Sequence, residues 1–258
     1  MKDGAGVAAP LAVEVTGTGA PVIMVHGLGG TANVWQPQVQ ALADRYRIVR
    51  LDLEGSGRSP FHGPLSVERW VANVESAMAR ADVQRAAIVA HSLGTLIAQH
   101  FAARYPERVD RMALLGVNRA PEDARRQTVR DRAAKVRSGG MLAIADGVIN
   151  AALSQQTRQQ KPEVAAAVRE FLLRQDPEGY ARSCESVAES VGADLSRITC
   201  PVLLIAGSDD TVSPPAASQN IARELRDARV EVLDGCGHWM TLERPMAVNE
   251  HLAAFLSR

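Results

Sequence analysis

Apolar and polar positions are distributed along this chain in two regimes. From about residue 11 to residue 118, short apolar runs alternate with segments whose apolar residues recur every three or four positions. Leu11 to Val15 alternates loosely and predicts an edge strand, while Pro21–Val25 is a continuous run of the kind buried on both faces of a sheet. Arg47–Leu51, Ala87–Ala90 and Arg111–Leu115 predict further strands. Helical spacing is seen over Val34–Tyr46, after Ser66 with Glu68 in its first turn, and over Leu96, Ile97, Ala98, Phe101 and Ala102, closed by Tyr105-Pro106. Strands alternating with helices of this length predict βαβ units and a mostly parallel sheet.

From Arg119 to Gly192 the strand signal disappears. Helical stretches are expected over Glu122–Val136, Met141–Leu153, Glu163–Arg174 and Gly179–Val191, with Gly139-Gly140, Lys161-Pro162 and Asp176-Pro177 between them. Strands resume at Pro201–Ala206 and Arg229–Leu233, with helices at Pro214–Arg226 and Glu243–Leu256. The expected organisation is an α/β core made of residues 1–118 and 193–258, with residues 119–192 inserted as a helical cap.

Composition narrows the range of partners. With 29 basic against 29 acidic residues, nothing favours nucleic acid or an anionic membrane as the main partner. No apolar run is long enough to span a bilayer. Cys184, Cys200 and Cys236 are odd in number and far apart, which suits free thiols in a reducing compartment rather than disulfides or a metal site. Met1–Gly6 lacks a basic region leading into an apolar stretch, so no secretory signal is expected and the address read from the sequence is the cytoplasm. Oligomeric state is not legible.

The chemistry centres on Ala87-Ile88-Val89-Ala90-His91-Ser92-Leu93-Gly94-Thr95. A strand that runs into a helix through so tight a turn holds Ser92 on the bend, where a hydroxyl nucleophile is useful. Strand and helix backbones nearly touch there, so the flanks must be small, and Ala90 and Gly94 supply that. In open α/β sheets functional groups gather at the carboxyl ends of strands. Three such ends carry Ser92, then Asp209 and Asp210, then His238. A serine hydroxyl needs a base within hydrogen-bond reach, and that base needs a carboxylate to fix its tautomer. Adjacent side chains on an extended segment point to opposite sides, so only one of the two aspartates is expected to reach the imidazole. The N–H groups of Leu28, in the Gly-rich loop His26–Gly30, and of Leu93, at the helix start, are candidate oxyanion donors.

These motifs, together with the Asp52…Gly55-Ser56-Gly57…Ser59 turn and Gly207…Asp210…Pro214, make the chain resemble an α/β-hydrolase of the Ser-nucleophile type. Ser92 sets it apart from the haloalkane dehalogenase and epoxide hydrolase branches, which carry Asp at the elbow. Within the fold, Asp176-Pro177-Glu178-Gly179-Tyr180-Ala181 leading into Cys184-Glu185-Ser186, then Pro201…Gly207, is similar to the 3-oxoadipate enol-lactonase subgroup. Departures are Ala90, where the usual pattern has Gly, and Glu54, where many relatives have Pro.

The resemblance implies an α/β-hydrolase fold with a helical cap, no metal and no cofactor, and hydrolysis of a small carboxylic ester or lactone through an acyl-enzyme. It places the acid three residues after Gly207, at Asp210. Two alternatives use the same residues: C–C bond hydrolysis of a diketone, and a ligand-sensing hydrolase fold with slow turnover. His91, Trp239 and Met240 are candidate pocket residues, the alternatives being that His91 packs under the pocket and that Trp239 and Met240, like Trp35, pack in the core or a loop; His26 is expected to brace its loop. The run Arg125-Arg126…Arg130…Arg132 reads most simply as a solvated helix face, the alternative being a basic lid over an anionic substrate.

Overall fold

The computed structural model describes residues 11–257; Met1–Gly6, read above for targeting, lies outside them. Seven strands form one sheet: β1 (Val13–Thr16), β2 (Ala20–Val25), β3 (Tyr46–Leu51), β4 (Ala86–His91), β5 (Val109–Leu115), β6 (Val202–Gly207) and β7 (Ala228–Leu233). Their spatial order is β1-β3-β2-β4-β5-β6-β7, with β1 antiparallel to β3 and every other neighbouring pair parallel. The short, half-exposed β1 occupies an edge, as its loose alternation predicts.

Period-two alternation divides each apolar run between two layers. Val22 and Met24 of β2, Ala87 and Val89 of β4, and Leu203 and Ile205 of β6 join one core. Ile23 and Val25, Ile88 and Ala90, and Val202 and Leu204 join the other. Each fully buried aliphatic side chain of this kind contributes about 1.5–3 kcal/mol, which is why continuous rather than alternating runs mark these strands.

The helices, in chain order, are α1 (Gln36–Leu42), α2 (Val67–Arg80), α3 (Leu93–Arg104), α4 (Asp123–Gly139), α5 (Leu142–Ala152), α6 (Gln155–Gln160), α7 (Pro162–Leu173), α8 (Pro177–Glu189), α9 (Pro215–Glu224), α10 (Met240–Glu243) and α11 (Pro245–Leu256). The Ser66 hydroxyl accepts from Arg69 N–H and caps α2, a contact worth about 1 kcal/mol. α2 and α3 cover the face carrying Ile23 and Ile88, and α1 and α11 cover the other. α4 to α8 all lie between β5 and β6 in sequence, and Val129, Ala133, Ile149, Leu172 and Tyr180 from them extend the α1–α11 core.

Beyond shifts of a few residues at helix ends, two expected helices divide and one helix is additional. Val34–Tyr46 divides into a 3-10 turn at Ala32–Trp35, the helix α1, and Tyr46 as the first residue of β3. Glu243–Leu256 divides at Arg244, because Pro245 lacks an N–H and sits at the first position of a new helix. The short helix α6 was not expected: Gln155–Gln160 is wholly polar and buries only Thr157. Among the described residues no helix is long and apolar enough to cross a membrane. The three cysteines are free and buried.

Candidate active site

Ser92 directly follows β4 with φ 52° and ψ −120°, a positive φ that a non-glycine residue adopts only under constraint. The constraint is visible on both sides. Ser92 N–H donates to the Leu115 carbonyl at 2.9 Å, and Thr95 N–H and Oγ1 both donate to the Ser92 carbonyl. A Cβ on Gly94 would collide with the carbonyls of Val25 and His26, so helix and strand approach as closely as the motif implies. Ala90 accommodates its extra methyl inside the α2–α3 core.

His238 and Asp210 come from the loops after β7 and β6 and meet Ser92. His238 Nε2 lies 2.8 Å from Ser92 Oγ, and His238 Nδ1 lies 2.7 Å from Asp210 Oδ2. The second carboxylate oxygen of Asp210 accepts from the N–H groups of Val212 and Ser213, both at 2.8 Å, so the acid is fully hydrogen-bonded and its side chain is shielded from solvent. With Nδ1 donating to the carboxylate, Nε2 is left as the acceptor facing the serine hydroxyl. Asp209 is exposed and instead accepts from the Ser208 hydroxyl.

The His238 loop is tied to the α5–α6 junction. His238 N–H donates to the Ala152 carbonyl at 2.6 Å. Glu243, wholly buried, accepts from the N–H groups of Ser154, Gly237 and Trp239 at 2.9–3.1 Å. In the sequence Glu243 figures only as the first residue of the expected terminal helix, and its bond to Ser154 spans 89 residues.

A cavity of about 460 Å³ opens onto Ser92 and His238. Leu28, Leu93, His91 and Trp239 line it. Leu93 N–H, at the first position of α3, has no intrahelical acceptor. Met240 does not line the cavity; it is completely buried in the α1–α11 core, which corrects the expectation of a pocket role, because α10 turns it inward. Trp239, one residue earlier, stacks near Phe171 with ring centroids 6.3 Å apart.

His91 packs against His238, its Nε2–H donating to the His238 carbonyl at 2.7 Å. Burial first, then the neighbouring His238, pushes the His91 imidazole down to about 3. In the unfolded chain the same ring titrates near 6.5. The unfolded state therefore binds more protons between these values, and stability is lost as pH falls through that window. His26, also lowered by burial, acts with the same sign. The urea midpoint is expected to decline from about pH 6.5 downwards and to decline less steeply in His91→Gln; identical slopes in the two proteins would refute the assignment.

Two loops behind the site are braced, the first by His26 as expected. His26 donates from Nδ1 to the Gly27 carbonyl and accepts at Nε2 from Leu53 N–H. Asp52 accepts from Ala32 N–H and from Arg58. Glu54, in place of the family's proline, closes its loop onto α2 by pairing with Arg69 and accepting from His62 N–H.

The cavity's other wall is the α4 face Arg125, Thr128, Val129 and Arg132, at i, i+3, i+4 and i+7. Arg119 also reaches the cavity but is held by Glu224 through two hydrogen bonds. Arg125 donates to the Val212 carbonyl at 2.7 Å and lies within electrostatic range of Arg132 and Asp210. Arg132 is beside Tyr180 and Cys184. Neither Arg125 nor Arg132 forms an ion pair among the described residues, and the cavity wall contains no acidic side chain. Arg125 and Arg130 are exposed, as a solvated face requires, but Arg125 and the half-buried Arg132 also line the cavity, as the basic-lid alternative has it.

Residues 22–251 match the model of the Alpha/beta hydrolase family. The chain is 29% identical over 239 residues to 3-oxoadipate enol-lactonase 2 of Acinetobacter baylyi, covering 92% of this chain and 88% of that protein. It is 28% identical over 244 residues to RutD of Caulobacter sp., a protein named for carbamate hydrolysis, covering 92% and 90%. Among solved structures, a thermophilic esterase from Thermogutta terrifontis with malate bound superposes with a TM-score of 0.91 at 28% identity, covering 96% of this chain and 93% of that one.

Proposed function

The chain belongs to the α/β-hydrolase family, and from that premise we propose that it hydrolyses a small carboxylic ester or lactone carrying a second, anionic carboxylate. The observation that carries the reading is the unbroken chain from Ser92 Oγ through His238 to Asp210 at one end of the cavity. Ser92 Oγ attacks the acyl carbon while its proton passes to His238 Nε2, and Asp210 stabilises the resulting imidazolium. The N–H groups of Leu28 and Leu93 hold the oxyanion. Collapse of the tetrahedral intermediate expels the alkoxide, which takes the proton from His238. Water then repeats the sequence on the acyl-enzyme, with His238 as base, and frees Ser92.

Residues 119–192 act as the cap in this reading, since α4 supplies the wall opposite Ser92. A cavity of about 460 Å³ suits a ligand at the small end of the usual range. The two cap arginines without acidic partners favour a substrate that brings its own negative charge, because a guanidinium fork matches a carboxylate in geometry and charge. The names of the relatives agree in kind: oxoadipate carries carboxylates, and so does the malate bound to the esterase.

Activity on p-nitrophenyl esters of graded chain length, on lactones and on a vinylogous diketone tests the bond type. No turnover of esters or lactones alongside rapid diketone cleavage would replace this reading by C–C hydrolysis. Charge recognition is tested with two esters of equal length, one ending in a methyl and one in a carboxylate. Arg132→Ala is expected to lower kcat/KM for the carboxylate ester about 10- to 100-fold and for the neutral ester less than about threefold. Equal losses on the two esters would remove Arg132 from substrate recognition.

A further inference from the structure

We propose that Asn118 is a fourth catalytic residue, whose side-chain amide donates to the nucleophile oxygen and so directs the Ser92 proton to His238. The inference rests on the acyl-transfer reading above. Asn118 lies three residues beyond β5, on the cavity wall, with Nδ2 3.1 Å from Ser92 Oγ. Its backbone is fixed to the nucleophile's own helix. Asn118 N–H donates to Thr95 Oγ1 at 2.8 Å, and its carbonyl accepts from Gln99 Nε2 at 3.0 Å. The amide is fixed at its other end as well, because Oδ1 accepts from the Ser213 hydroxyl at 3.1 Å, and Ser213 N–H donates to Asp210 Oδ1. Asn118 therefore joins the serine to the loop of the acid by a route that bypasses His238.

The chemistry follows from the donor count. A serine hydroxyl has one proton and two lone pairs. With an amide N–H occupying one lone pair, the Ser92 proton is left with His238 Nε2 as its acceptor, and the second lone pair is free to attack. As the proton leaves, negative charge grows on Oγ and the Asn118 bond strengthens towards the charge-assisted kind. Once Oγ is acylated it is a weaker acceptor and that gain is lost. The contact is thus stronger in the transition state than before or after it, which is the condition for a rate effect. The same bond forms again when Oγ departs from the deacylation intermediate, before His238 returns its proton.

Asn118→Asp retains the shape and the acceptor that meets Ser213 but replaces the donor by a second acceptor, and Asn118→Ala removes the side chain. Ser213→Ala cuts only the tether. The readout is the second-order rate at which a fluorophosphonate probe modifies Ser92, followed by mass spectrometry on folded protein, which depends on Oγ reactivity and not on the natural substrate. Both Asn118 variants are expected to react about 10- to 100-fold more slowly than the parent, and Ser213→Ala less than about threefold more slowly. Asn118→Asp reacting within threefold of the parent, or Ser213→Ala losing as much as Asn118→Ala, overturns the proposal alone. A parent that is not labelled at Ser92 overturns the acyl-transfer reading, and this proposal with it.

Discussion

Ser92→Ala is expected to lose about 10⁴- to 10⁶-fold in turnover while remaining folded. The size follows from what disappears: the one oxygen placed 2.8 Å from His238 Nε2 on the bend between β4 and α3. The proposed oxyanion donors and the cavity survive the change, so a residual rate above that of water is expected, as when one member of a catalytic unit is removed. Folding should be retained, since alanine keeps the same backbone and the backbone hydrogen bonds of residue 92 to Leu115 and Thr95. The check combines steady-state kinetics, circular dichroism and peptide mapping of the fluorophosphonate adduct. An adduct on another residue, with Ser92→Ala still active, ends the nucleophile assignment.

The second large effect separates neighbouring carboxylates. Asp210→Asn is expected to cost roughly 10⁴-fold in turnover, because an amide donating to His238 Nδ1 would favour the tautomer that puts a proton, not a lone pair, towards Ser92. The amide would also have to leave one of its atoms mismatched against the N–H groups of Val212 and Ser213 or against the imidazole. Asp209→Asn is expected to cost under about tenfold, since Asp209 is exposed and its carboxylate accepts from the Ser208 hydroxyl, a contact of ~1 kcal/mol. Turnover of both variants, with folding verified, decides it. The reverse ranking would move the acid by one residue.

How much of this was readable in the chain depended on whether the signal was local. The doubly buried strands were legible because runs such as Val202–Ala206 leave no polar face, whichever elements cover them. Ser92 and His238 were legible because each lies just past a strand end, where α/β sheets gather their chemistry. The acid needed more than pattern: the alternation of side chains left Asp209 and Asp210 open, and burial separates them in space. Asn118 reaches Ser92 across 26 residues, Glu243 reaches Ser154 across 89, and Arg132 shares a cavity with Ser92 and His238, so no local pattern joins the ends of these contacts. For Arg125 and Arg132 the seven-residue spacing was present in the sequence, but a polar helix face gives no sign of whether water or a cavity lies against it. Met240 shows the opposite error, a residue next to the site in sequence and behind it in space.

The attachment of the His238 loop to Ala152 and Ser154 constrains how the binding region can be altered. A rigid swing of all five helices would pull on the segment that carries His238, so admission of a ligand is better served by displacement of α4 together with α8, to which Arg137 ties it through Glu178 and Glu185. For the same reason, transplanting helices from another hydrolase to change selectivity has a natural cut. Exchanges confined to residues 119–150 leave the His238–Ala152 and Glu243–Ser154 bonds untouched. Replacements that run through Ala152 or Ser154 break those bonds, and such chimaeras should fail by misplacing the imidazole even when the foreign helices pack well.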